Sequence, residues 1–186
     1  MHEGYVETRG RCDVSCMNID RGNDEYFMSI ALNEAEAAAS EGEVPIGAVL
    51  VKDGNIIASA HNRRENDCDA TAHAEILCIR KASNILKGWN LHDCELYVTL
   101  EPCPMCTGAA INARIKRIIY GAKDMKAGSV GGMVDLTSLP YNHRPEVTGG
   151  VMENECLSLL KNFFAYLRIR KERFDNKKCN VNLGGK

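Results

Sequence analysis

A His-x-Glu triplet, His73 to Glu75, stands ahead of a Pro-Cys-x-x-Cys run from Pro102 to Cys106. The stretch between them constrains the fold more than any other. "TAHAEILCIRKASNIL" reads as a helix that starts near Thr71 and is closed by Gly88. "CELYVTL" reads as a short apolar strand, and "PCPMCTGAAINAR" as a further helix with prolines at its start. Two helix starts separated by a strand can open at the same edge of one sheet. Residues far apart in sequence then meet there.

A Cys-x-x-Cys pair alone is a redox couple, half of a structural zinc site, or part of a catalytic one. Here Cys103 and Cys106 lie three apart, on one side of a helix. They are read into its first turn, where free N–H groups and the helix dipole favour thiolate over thiol. Pro102 and Pro104 cost little there, because a first-turn N–H has no intrahelical partner. His73 completes a nitrogen-and-two-sulfur set. Zinc prefers four donors, so the fourth place is open to water, whereas a structural site would supply a fourth protein ligand. Glu75 cannot share a regular helix face with His73. Near a helix start its carboxylate can fold toward the site and shuttle a proton between activated water and substrate.

The rest of the chain supplies a sheet around this centre. "NDEYFMSIALNEAEAAASEG" is expected to be a helix capped by Asn23 or Asp24 and ended by Gly42. "VPIGAVLVKDGNIIASAHN" is expected to be a hairpin about Asp53-Gly54. "IKRIIYGA" reads as a strand, residues 122–146 as a loop, and "ENECLSLLKNFFAYLRIRKERF" as a long final helix. The order predicts a three-layer α/β/α fold. Its hairpin is antiparallel, and the strands separated by helices are parallel. Residues 1–22 are expected to be an N-terminal extension, 23–172 the domain, and 173–186 a tail.

With 186 residues, 45% of them apolar, the chain suits one domain with a core. No apolar run is long enough to span a bilayer and no secretory leader is evident, so no membrane partner and a reducing, cytoplasmic setting are expected. The nine cysteines are therefore read as free thiols. Cys78, Cys94 and Cys156 are expected in the core, and the Cys12/Cys16 pair is given no metal. A net charge of −2 does not announce a nucleic-acid binder, although basic residues cluster between Lys161 and Lys178.

The pattern His-x-Glu, helix, strand, Pro-Cys-x-x-Cys resembles the signature of zinc-dependent nucleobase deaminases. Beyond it, "GEVPIGAVLV", "TAHAEI", "LYVTLEPCPMCTGAAINARIKRIIYGAKD", "GSVGGMVDL" and "NHR" are similar to bacterial tRNA-specific adenosine deaminases, over roughly residues 24–170. The resemblance implies a cytidine deaminase-like fold with a mixed five-stranded sheet. It implies hydrolytic deamination of the wobble adenosine of an arginine tRNA to inosine, with one zinc per subunit. It also implies a homodimer that binds the anticodon stem-loop. His73, Cys103 and Cys106 match the zinc ligands, and Glu75 the proton shuttle. Asn62 matches a purine-binding asparagine. The Ala74 backbone is expected at the pocket, Pro45 and Ile46 in an apolar wall, and Lys123 and Asp124 beside the nucleotide. The basic C-terminal helix would flank the RNA. The alternatives are a deaminase of a free base or nucleoside such as guanine, and an inactive zinc-folded RNA-binding subunit. Glu75 argues against the latter, because a structural site needs no proton shuttle.

Overall fold

The computed structural model describes the backbone of residues 14–181 and the side chains of residues 23–171. In chain order the elements are α1 (Val14–Ser40), β1 (Gly47–Lys52), β2 (Asn55–His61), α2 (Ala74–Leu86) and β3 (Cys94–Leu100). There follow α3 (Pro104–Asn112), β4 (Arg117–Ala122), β5 (Glu146–Gly149) and α4 (Glu153–Val181). The strands form one five-stranded sheet in the order β2-β1-β3-β4-β5. The pairs β2/β1 and β1/β3 are antiparallel, and β3/β4 and β4/β5 are parallel.

The alternation of side chains along the strands builds two cores. In β1, Ala48 and Leu50 face one layer, and Val49 and Val51 face the other. The first core packs the sheet against Ala74, Cys78, Ile79 and Ala82 of α2 and Ala110 of α3. The second packs it against Phe27, Met28 and Ala31 of α1 and Cys156 of α4. The expected three-layer, mixed-sheet architecture is therefore present. Cys78, Cys94 and Cys156 are buried as expected, while the side chains of Cys12 and Cys16 lie outside the described residues.

Asp53 and Gly54 both take positive φ, 50° and 74°, as a tight hairpin turn requires. Gly47 serves close approach: a Cβ there would run into the Ala31 carbonyl and meet the Ala35 nitrogen at 2.6 Å. The first helix can settle on β1 only because that side chain is missing.

Three local expectations are corrected. α1 starts at Val14, so Asn23 and Asp24 are interior to it and cap nothing. Asp24 instead points into the sheet, where Arg117 grips both of its oxygens at 3.0 and 2.7 Å and the Tyr97 hydroxyl donates at 2.8 Å. The left-handed residue that ends α2 is Lys87, at φ 55°, rather than Gly88. The segment read as loop to residue 146 gives way to β5 there, which supplies the fifth strand. Among the described residues no helix is long and apolar enough to cross a membrane.

Candidate metal and catalytic site

β2 and β3 run in the same direction on either side of β1, so their carboxyl ends share one edge of the sheet. At that edge begin the two helices that carry the motif. His73 is the residue before α2, with φ −74° and ψ 150°, and Cys103 the residue before α3, with φ −73° and ψ 170°. Neither side chain caps its own helix. Both are left to point at each other, and Pro104 at the first position of α3 sets the helical φ without wasting an N–H. Pro102 lies ahead of the helix instead of inside its first turn.

His73 Nδ1 lies 3.7 Å from Cys103 Sγ and 3.6 Å from Cys106 Sγ. One donor atom from each of the three residues falls within 4.8 Å of the others. Hydrogen bonding from the Cys106 thiol, against burial and with help from His73, holds the Cys103 thiol down at about 4. Cys106 is pushed up by that same contact and by its deeper burial. The Cys103 contact likewise raises His73, against burial. A nitrogen and two sulfurs that compete for protons at this range form a donor set suited to zinc, with one coordination place left over.

Glu75 follows His73 in the first turn of α2 and is 4% exposed. Its carboxyl sits against the Cys106 thiol, and burial pushes it above the usual carboxylate range. A carboxyl so placed, beside the three donor atoms, is positioned to take up a proton and return it.

The other expected contacts gather at the same edge in different states. Ala74, at the first position of α2, is buried, and the N–H groups of a first helical turn have no intrahelical acceptor. Pro45 is buried and Ile46 half-buried, just ahead of β1. Asn62, 5% exposed, directly follows β2. Lys123 is exposed beyond the end of β4. The Asp124 carboxylate is engaged by its own loop, accepting the Lys126 and Ala127 N–H groups at 2.8 and 3.2 Å. His143 is a loop anchor, its Nε2 2.6 Å from the carbonyl of Ile115, which lies just ahead of β4.

Three supporting groups carry no sequence signal of their own. Glu43 is fully buried against Asn62. Glu101, at the end of β3, accepts N–H groups from Asp124, Val130 and Gly132 and so holds the loop beside the site. Ser129 of that loop donates through its N–H and its hydroxyl to the Pro102 carbonyl, both at 2.9 Å, directly ahead of Cys103. Its hydroxyl also meets Thr107 Oγ1 at 2.7 Å.

The sequence model of the MafB19-like deaminases matches residues 22–168. The tRNA-specific adenosine deaminase of Bacillus subtilis is 48% identical over 150 residues, which is 80% of this chain and 93% of that protein. A solved tRNA:A34 deaminase, studied for A-to-I editing at the wobble position of transfer RNA, has a TM-score of 0.71 and 48% identity. It covers 73% of this chain, and the match takes in 99% of that one. A guanine deaminase structure from Bacillus subtilis has 46% identity and a TM-score of 0.51, over 53% of this chain and 64% of the other.

Proposed function

Since the chain belongs to the tRNA-specific adenosine deaminase family, we propose that it hydrolyses the wobble adenosine of a tRNA anticodon to inosine and releases ammonia. The observation that carries this reading is the convergence of His73, Cys103 and Cys106 around one point, with buried Glu75 beside them. The guanine alternative has weaker support: the Bacillus subtilis guanine deaminase matches 53% of this chain with a TM-score of 0.51, against 73% and 0.71 for the tRNA:A34 deaminase.

His73, Cys103 and Cys106 would hold one zinc per subunit. A zinc ion held there would supply Lewis acidity toward a water molecule, since coordination lowers the pKa of water to about 7. Glu75 takes the proton lost as a water oxygen bonds to C6 of the purine, and delivers it to the exocyclic amine that leaves as ammonia. Asn62 reads the purine with its side-chain amide. The buried Ala74 backbone, Pro45 and Ile46 line the pocket, and Lys123 and Asp124 flank the nucleotide. A single-stranded anticodon loop suits such a pocket, because its base leaves the stack at low cost.

The partner is the anticodon stem-loop, of an arginine tRNA by family likeness, bound by a homodimer in the cytoplasm. On α4 the exposed Lys161, Arg168 and Lys171, interleaved with Phe164 and Tyr166, suit a helix lying along RNA. The side chains of Arg173, Lys177 and Lys178 in the same cluster lie outside the described residues.

Zinc-loaded protein incubated with an arginine-tRNA anticodon stem-loop should convert the wobble adenosine to inosine, read by sequencing. Ammonia released from free guanine, with no inosine in the stem-loop, would overturn the assignment.

A further inference from the structure

Glu43 is 0% exposed, in the turn between α1 and β1. Its Oε2 accepts from Asn62 Nδ2 at 2.9 Å and its Oε1 from the Asn66 backbone N–H at 2.7 Å. Asn62 is fixed from its backbone too, where its N–H donates to the Ile46 carbonyl at 3.0 Å. Burying a charged side chain is costly unless it is paired and hydrogen-bonded, and here both oxygens are engaged by donors.

This arrangement has a chemical polarity. A primary amide presents an acceptor on one side and donors on the other, and in isolation either orientation is available to Asn62. Both Glu43 oxygens accept, so the amide nitrogen must face Glu43. The carbonyl oxygen and the second N–H of Asn62 are left for another partner. We infer that Glu43 is a positioning residue that fixes the orientation in which Asn62 presents its amide to the purine, and thereby selects the base. The inference rests on Asn62 as a base contact in the proposed reaction.

A Gln at position 43 separates this role from mere packing. The Asn66 N–H is a backbone donor that cannot be reversed, so the Gln carbonyl must serve it. The Gln amide nitrogen then faces Asn62 and forces its amide to flip. Glu43→Gln, Asn62→Ala and the double variant form a cycle, read as kcat/KM on the anticodon stem-loop together with stem-loop Kd and Tm. Glu43→Gln should lower kcat/KM about tenfold or more in the wild-type background and less than about twofold in the Asn62→Ala background. RNA affinity should hold, because backbone phosphate contacts dominate it. An equal loss in both backgrounds, or no loss in the first, would overturn the positioning role while leaving the base contact intact. An Asn62→Ala variant with unchanged kcat/KM would remove the base contact and this inference with it. If Glu43→Gln does not melt cooperatively, Glu43→Asp replaces it in the same cycle, because it keeps two accepting oxygens but draws them back by one methylene.

Discussion

The Glu101 carboxylate accepts the Gly132 N–H at 2.7 Å, tying the end of β3 to the far side of the loop that follows β4. The same carboxylate takes the Val130 N–H at 3.0 Å and the Asp124 N–H at 3.1 Å. A Cβ on Gly128 or Gly132 would collide with it, so the loop wraps the side chain closely. Glu101→Gln places an N–H₂ group against N–H donors and should cost about 1–3 kcal/mol. Differential scanning calorimetry checks it, and an unchanged Tm would show that the loop is held without Glu101.

That loop also marks where sequence reasoning stopped. The hairpin, α2, β3 and α3 were legible because hydrophobic period, a Gly turn and prolines all act within a few residues. The meeting of His73, Cys103 and Cys106 was legible because the residue types and their places at two helix starts are both local features of the sequence. Glu43, Glu101 and Ser129 were not, because a buried carboxylate or hydroxyl has no period. Each is explained only by hydrogen-bond partners that the fold brings from 19 to 31 positions away. Asp24 was misread for a related reason. An acidic residue ahead of an apolar run looks like a cap, and only its distance of 93 positions to Arg117 shows it to be an ion-pair partner.

The site separates two kinds of loss. Cys103→Ala removes one of three donors within 4.8 Å and should lower bound zinc, read by metal analysis. Glu75→Ala leaves all three donors in place, so zinc content and fold should persist while deamination falls by about 10²–10⁴-fold. Full activity in Glu75→Ala would remove the proton shuttle, and equal zinc in Cys103→Ala would remove the ligand assignment.

Gly47→Ala tests the seating of α1. Its Cβ would meet Ala35 N at 2.6 Å and Glu34 Cβ at 2.8 Å, both on the helix and neither able to move alone. Overpacking of this kind costs about 1–3 kcal/mol. Urea denaturation should show the midpoint falling at a constant slope, and an unchanged midpoint would mean that α1 can lift from β1 freely.

The Asp24–Arg117 pair should behave as a buried ion pair. Its side chains are 8% and 19% exposed, and Thr148 Oγ1 accepts further guanidinium N–H groups at 3.2 and 3.0 Å. Arg117→Leu leaves the Asp24 carboxylate buried without its cation and should cost about 3–5 kcal/mol. Asp24→Asn combined with Arg117→Leu should cost less than Arg117→Leu alone, because no orphan charge remains. Simple additivity of the two single variants would contradict this account.

Glu34 gives a pH test away from the His73, Cys103 and Cys106 cluster. Ser59 Oγ donates to its Oε1 at 2.5 Å, and His61 Nδ1 lies 2.7 Å from its Oε2. Burial alone would raise this carboxyl. The hydrogen bonds from Ser59 and His61, with the charges of His61 and Lys81, outweigh it and hold the group below its ordinary 4.5. The folded protein therefore binds fewer protons than the unfolded chain just below that value, and stability rises with pH there. The Glu34 contribution is complete above the unfolded value and disappears as pH falls through the folded one. The Tm advantage of wild type over Glu34→Gln should thus be present at about pH 6 and shrink toward about pH 3. A gap that stays constant, or widens on acidification, would show that these contacts do not favour the ionised carboxylate.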